Sequence, residues 1–581
     1  MPRRAALLLT TLCAAAAVGL AQAPATEQLD ALFAQIERFT AQPQDSLGEG
    51  VHPPPEWASV GDEAQRREAD TLAGFAARLA AIDTAGLPRQ HRISRAVMAH
   101  RLADAVDRVR FRMHLIPLDA EGGFYDRIAY ALPYLPFATR ADYDDYLAWL
   151  PAYAEGLRQN LSLLRAGLAE GIVAPAPVIA NALELLGGWN VERPEDSPLY
   201  EPLTRLPAGL AEPDREELRR RAGATIAGVN EVYAEIADFI AGDYAAAAPE
   251  EPGVGALPGG LAYYDNRVRH YTTLPLTADS VHQLGLAEVA RIRAAMDSVI
   301  AAVDFAGDFA DFLEFLRTDP QFYATSPQQL LDRAAWIAKQ AEGRLPAYFA
   351  ELPSLPFTVA PVPASIAPTY TVGRYVGGSW DRQRPGTYWV NTTDLPSRPL
   401  YNLPALTLHE AVPGHHLQIA LADELADLPE WRRRTYLSAF GEGWGLYSEY
   451  LGEEMGMYTT AYELFGRYTY EMWRACRLVI DSGIHARGWS RQRALDYLAA
   501  NTALSLHEVR TEVDRYIGWP GQAVSYKVGE LEIKRLRREA ARALGEGFDL
   551  RRFHGVVLRN GAVPLAVLRA EVAAWVAAGG P

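Results

Sequence analysis

Cysteine is nearly absent from these 581 residues, with Cys13 and Cys476 the two instances. If the N-terminal segment is cleaved, Cys476 stands alone and no intrachain disulfide can form. Basic residues are also short: 56 Lys and Arg face 72 Asp and Glu, for a formal net charge of −16. That balance excludes a general nucleic-acid-binding surface and mainly favours solubility. Past the first residues no apolar run is long enough to cross a bilayer. There is no fixed-period repeat and no low-complexity tract beyond short alanine runs. What the chain does have is apolar residues, 49% of the total, enough for a large core, which sets disorder aside.

Residues 1–23, MPRRAALLLTTLCAAAAVGLAQA, place a basic pair before an apolar run and end on Ala21-Gln22-Ala23. This is the pattern of a cleaved export signal. The expectation is a periplasmic or extracellular protein whose mature chain starts near Pro24, with no stable membrane insertion once the leader is gone. A retained anchor fits less well, because the run is short and the segment after it is polar and contains proline. A lipid anchor through Cys13 fits less well still, since Leu12 is bulky where such a signal wants a small residue. The residues carry no signal of oligomeric state.

Three-to-four spacing of apolar residues predicts helices over Glu27–Thr40, Glu63–Ile82, Ser94–Arg110, Asp142–Ala169 and Asp214–Ala241. A further helix is expected to start at an N-cap Thr277. Proline-rich punctuation falls at His52–Pro55, Glu250–Pro258 and Leu352–Pro368. TYTVGRY and TYWVN, between Thr369 and Asn391, are rich in β-branched and aromatic residues and predict a small antiparallel sheet. Its edge would either take an extended peptide by backbone pairing or simply cap the core. The fold expected is mainly α, with one large helical body. A helical region over 24–368 would form groove walls, and 369–581 would be the catalytic region.

The most specific signal is LHEAVPGHHLQ, Leu408–Gln418, followed by FGEGWGLYSEY, Phe440–Tyr450. Three of the chain's twelve histidines fall within 409–416. A zinc-bearing helix commonly carries two histidines four apart, with the glutamate after the first beside the metal. Here His409 and Glu410 begin that pattern, but the position four on is Pro413. In a regular helix His416 would share His409's face about 10.5 Å along the axis, too far for one ion with bonds near ~2.1 Å. Proline clashes with the carbonyl of His409, so the helix must bulge there. A bulge absorbing two residues brings His415 to the ligand position, with His416 as second choice or supporting partner. Glu442 is the candidate third ligand, from an apolar stripe of Tyr436, Phe440, Trp444, Tyr447 and Leu451. Gly441, Gly443 and Gly445 flank it, and glycines that cost about 1 kcal/mol each in a helix imply a close approach, expected to be to the histidine helix. Glu449 faces the same way and could orient a ligand histidine.

These two motifs resemble the bacterial family known as domain of unknown function 885. The resemblance spans most of the mature chain in layout, with its specific motifs between about Gly386 and Gly529. The family is placed among the zinc metallopeptidases whose third ligand is glutamate. EGWGLYSE is similar to the glutamate-bearing helix of aminopeptidase N relatives. GHHLQ resembles the second-histidine region of the helical oligopeptidases and thermostable carboxypeptidases. The resemblance implies a zincin-like catalytic core beside a deep groove, a Zn2+ cofactor and a peptide substrate.

On this reading Glu410 is the general base. By analogy with related helical peptidases, Tyr526 in QAVSYKVG is the first candidate for stabilising the oxyanion, followed by Tyr516, Arg515 and His507. Arg374, Arg382 and Arg384 are candidates for a substrate carboxylate or plain surface charges. Asn391 would anchor a peptide backbone or close a turn. Two rivals remain: an amidase acting on a non-peptide or modified amide, and a periplasmic binding protein with an inert site.

Overall fold

The computed structural model describes residues 24–41, 59–119, 122–132, 135–364, 366–367 and 370–580. The leader, Cys13 and the His52–Pro55 cluster lie outside them. Helix dominates, as the periodicity implies, around one small sheet. Two compact units divide at Glu250 and Glu251. The sequence reading had one body, parted at 368/369, so the first of the long proline-rich stretches is where the compact units meet in sequence.

The first unit carries helices α1 (Ala25–Thr40), α2 (Asp62–Ala81), α3 (Arg89–Arg110), α4 (Arg140–Glu170), α5 (Ala176–Leu186) and α6 (Glu212–Phe239). The five predicted helices of this region correspond to α1–α4 and α6 within a few residues. Thr139 and Asp142 start α4 with a capping box, the Asp142 carboxylate accepting from the Thr139 N–H at 2.7 Å. Tyr153 of α4 and Tyr233 of α6 meet in the core through a 2.8 Å hydroxyl–hydroxyl bond.

The second unit holds α7 (Gly260–Thr272), α8 (Ala278–Ala302), α9 (Phe309–Thr318) and α10 (Pro327–Tyr348), then the sheet. After it come α11 (Leu403–Glu410), α12 (His415–Asp423), α13 (Ser438–Glu454), α14 (Ala461–Arg487) and α15 (Arg491–Asn501). The unit closes with α16 (Leu506–Gly518), α17 (Ser525–Leu544), α18 (Leu550–Leu558) and α19 (Leu565–Ala577). Thr277 caps α8 as expected, its hydroxyl accepting from the Ser280 N–H at 3.2 Å. The core of the unit is α14, buried along most of its length. Helix α8 lies on it so closely that a Cβ at Gly285 would come within 2.7 Å of the Leu478 Cβ.

The sheet has strands β1 (Phe357–Pro361), β2 (Gly373–Val376) and β3 (Gly386–Val390), in the order β1-β3-β2. It is mixed, which corrects the antiparallel expectation: β2 runs antiparallel to β3, but β1 pairs with it in parallel. The parallel strand lies inside the proline-rich Leu352–Pro368 stretch, where punctuation masked its TV-A alternation. Tyr388 and Val390 face inward, and the Tyr388 hydroxyl meets Thr407 of α11 at 3.4 Å. The sheet therefore lies directly against the helix that carries His409 and Glu410.

Candidate metal centre

Between the two histidines the chain breaks its helix outright, rather than bulging. Helix α11 ends at Glu410 and α12 begins at His415. The intervening turn includes a cis Val412–Pro413 bond. The His416 N–H picks up the Ala411 carbonyl at 3.0 Å, and the Trp444 indole of α13 donates to the Pro413 carbonyl at 2.8 Å. Gly414 is required here, because a Cβ on it would lie 1.9 Å from the His409 carbonyl oxygen. Breaking the helix at proline discards the two-turn separation of a continuous helix and swings His415 back over His409, their ring centroids 4.8 Å apart.

Ligand-type atoms of His409, His415 and Glu442 all lie within 4.8 Å of one another. Glu442 Oε2 is 3.4 Å from Nε2 of each histidine. For bonds near ~2.1 Å, the edge of a tetrahedron is about 3.4 Å, so two of the three edges match a zinc-sized ion. Burial alone would depress the His409 pKa, but its bonds to Glu442 and Glu449 outweigh that and hold it up to about 9. Burial works the other way on Glu442, where the charges of His415 and His409 prevail and keep its carboxyl well below the usual range. These opposed shifts describe a pocket that concentrates negative charge around imidazoles.

His416 is elsewhere. Its Nδ1 is 3.0 Å from the Tyr375 hydroxyl and its ring is 4.7 Å from Phe357, under the sheet. Burial pushes its pKa down to about 4. Glu449 stands behind His409, accepting from Nδ1–H at 2.8 Å, which leaves Nε2 turned toward Glu442. That contact fixes the tautomer in the way metal-ligating histidines are commonly held. Arg474 of α14 approaches the same Glu449 oxygen at 3.4 Å.

The three glycines around Glu442 have three different neighbours. A Cβ at Gly445 would strike the His409 ring at 2.6 Å, one at Gly443 would meet the Gly529 Cα of α17 at 2.5 Å, and one at Gly441 the Tyr436 ring at 2.5 Å. The close approach to the histidine helix expected for all three holds for Gly445. Tyr436 precedes α13 rather than belonging to its stripe, and its hydroxyl donates to Glu442 Oε1. This partner of Glu442 was missed in the sequence, where a tyrosine at helical spacing reads as packing.

Glu410 Oε2 accepts from the main-chain N–H of Tyr375 in β2 at 2.8 Å. Tyr526, at the start of α17, stacks its ring on His409 at 6.5 Å and 22°. The Arg477 guanidinium supports the Tyr526 ring from 4.2 Å.

Other sequence candidates fall away from the cluster. His507 is exposed on α16 while its neighbour Glu508 is buried, because adjacent helical residues point about 100° apart. Tyr516 is buried, its hydroxyl taken by the Trp473 indole at 2.7 Å and Arg477 Nε at 3.0 Å, so it packs instead of facing a substrate. Arg515 holds Gln522 at 2.9 Å. Arg374, Arg382 and Arg384 are exposed, Arg374 lying over the Tyr370 ring. Asn391 spends its amide nitrogen on the carbonyls of Ala367, Tyr370 and Thr371 and its oxygen on Thr393, closing a turn.

A family profile described as bacterial protein of unknown function, DUF885, matches residues 43–572. The chain belongs to the DUF885 family. This DUF885 chain is similar to the crystal structure of a candidate lipoprotein from Colwellia psychrerythraea, with 28% identity and a TM-score of 0.85 over 95% of this chain and 99% of that one. It shares its fold with a candidate lipoprotein of unknown function from Shewanella oneidensis, at 16% identity and a TM-score of 0.71 over 94% of this chain and 99% of that one. No curated protein sequence matches it. Among the described residues of the DUF885 chain, no helix is long and apolar enough to cross a membrane.

Proposed function

We propose that this DUF885 protein is an exported zinc-dependent hydrolase that cleaves peptide bonds in short peptides. His409, His415 and Glu442 are its ligands. One observation carries the reading: two imidazoles each lie 3.4 Å from one carboxylate oxygen, with Glu410 next to the first histidine in sequence and Glu449 behind His409. The donor set fits the ion in type and number, and two of its three edges fit in length. When bound, zinc supplies a Lewis acid and lowers the pKa of a water to about 7.

The chain's own residues do the rest. Glu410 takes a proton as the water oxygen adds to the carbonyl carbon, and returns a proton to nitrogen as the C–N bond breaks. Glu449 keeps His409 in the tautomer that presents Nε2. The Tyr526 hydroxyl, its ring held by Arg477, is the donor for the developing oxyanion. Strand β2 is an edge strand of the sheet, and its Tyr375 N–H donates to Glu410, so a peptide lying beside that strand would pass the base.

The test compares metal content and hydrolysis of a peptide library for wild type and Glu410→Gln. The variant should keep one zinc and lose turnover by a factor of about 100 or more. Wild-type protein that takes up no zinc after loading, or a Glu410→Gln protein as active as wild type, overturns the assignment.

A further inference from the structure

Tyr436 stands outside α13 yet reaches the metal centre. It lies in the link between the helical turn Glu430–Arg433 and α13. Leu437 beside it starts the helix, its carbonyl accepting from the Phe440 and Gly441 N–H groups at 2.9 Å each. The Tyr436 ring folds back over this first turn onto Gly441. A Cβ there would come 2.5 to 2.8 Å from its Cε2, Cζ and hydroxyl oxygen. Any other residue at 441 would push the ring aside, so the glycine is what lets the hydroxyl arrive at Glu442.

The two carboxylate oxygens of Glu442 are divided. Oε1 accepts from the Tyr436 hydroxyl, and Oε2 lies 3.4 Å from Nε2 of both His409 and His415. A carboxylate can hold a cation through one oxygen or through both. The difference matters here, because three protein ligands on a four-coordinate ion leave one position open, and a second carboxylate oxygen would fill it. Tyr436 is 48% exposed, whereas the side chains of His409 and Glu442 are 3% and 12% exposed. Tyr436 is thus the outward member of the group, with its hydroxyl turned inward to the carboxylate.

We propose that Tyr436 is a positioning residue that occupies Oε1 of Glu442, so that this glutamate grips zinc through Oε2 alone and the fourth position stays open. The inference rests on the zinc reading above and goes beyond it by assigning how the glutamate binds. A hydroxyl donating to a carboxylate makes a short, charge-assisted bond. It fixes the terminal torsion of the glutamate, which is otherwise broad. Without that bond the carboxylate turns freely, which weakens the grip and admits Oε1 as a second contact. Phenylalanine at 436 would keep the ring on Gly441 and delete this bond alone.

The experiment measures zinc affinity by chelator competition and the visible absorption of the cobalt(II)-loaded protein, for wild type, Tyr436→Phe and Tyr447→Phe. Cobalt(II) absorbs strongly when four-coordinate and weakly at higher coordination number. Tyr447 is the control, because it sits on the same helix and its hydroxyl bonds His554 at 2.8 Å. Wild type should show the intense four-coordinate bands. Tyr436→Phe should lose about tenfold or more in zinc affinity and its cobalt bands should weaken, while Tyr447→Phe keeps wild-type values in both. Weak bands in wild type, or a Tyr436→Phe protein with wild-type affinity or an unchanged spectrum, overturn the proposal and leave the zinc reading standing. Equal losses in the two variants also overturn it, since they report a disturbed helix. The wild-type spectrum tests the binding mode even where a variant fails to fold. Wild type that takes up neither zinc nor cobalt overturns the proposal and the zinc reading together.

Discussion

The His409 ring lies flat against the backbone of Gly445, where a Cβ would sit 2.6 Å from the ring carbon Cε1. His409 and the helix that carries Glu442 thus touch with nothing between them. Gly445→Ala should displace the imidazole and weaken zinc binding by about tenfold or more while the protein still folds. Gly443→Ala should behave differently, because its Cβ meets the backbone of α17 at Gly529. It should lower the melting temperature, at a cost on the order of 1–3 kcal/mol. Zinc titration and thermal melts of the two variants side by side check both expectations.

Glu449 acts through His409. Glu449→Gln should reduce zinc affinity by about 10- to 100-fold, and a chelator competition assay reads this directly. An affinity equal to wild type would mean the 2.8 Å contact with Nδ1 does not orient the ring.

The adjacent histidines should separate cleanly. His415→Ala removes a proposed ligand and should cost at least about 100-fold in zinc affinity. His416→Ala should keep the metal and lose about 1–3 kcal/mol of stability through its bond to Tyr375 and its contact with Phe357. Metal stoichiometry after dialysis distinguishes them.

A pH dependence follows from Glu512. Burial alone would raise its carboxyl, but Arg515 and Arg477 prevail and hold it down to about 2. The folded pKa lies below the ordinary value of 4.5, so its stabilising contribution is present above about 4.5 and lost as pH falls toward 2. Glu512→Gln should destabilise the protein at pH 7 by on the order of 3 kcal/mol. The gap between wild type and variant in urea midpoint should stay level from pH 7 to about 5 and narrow below that.

Much of the centre was legible because its signals are local. His409 and Glu410 are neighbours, Glu442 and Glu449 share a helix face at a spacing of seven, and Pro413 announces a disturbed helix. Placing His415 ahead of His416 followed from the impossible reach of a regular helix. What could not be read depends on distant partners. Strand β1 is defined by its parallel pairing with β3, which no run of residues between 352 and 368 declares. Tyr516 and His507 looked equivalent on paper, yet one turns into the core and the other into solvent. Tyr436 binds Glu442 only because Gly441 leaves its ring a place to lie.

The hold on Glu410 comes from the main chain of β2, at the Tyr375 N–H. Exchanging the side chain at 375 therefore leaves the anchor standing, and proline is the substitution that would delete it. Sequence change at 375 can alter the surface beside Glu410 while the main-chain donor that holds its carboxylate persists.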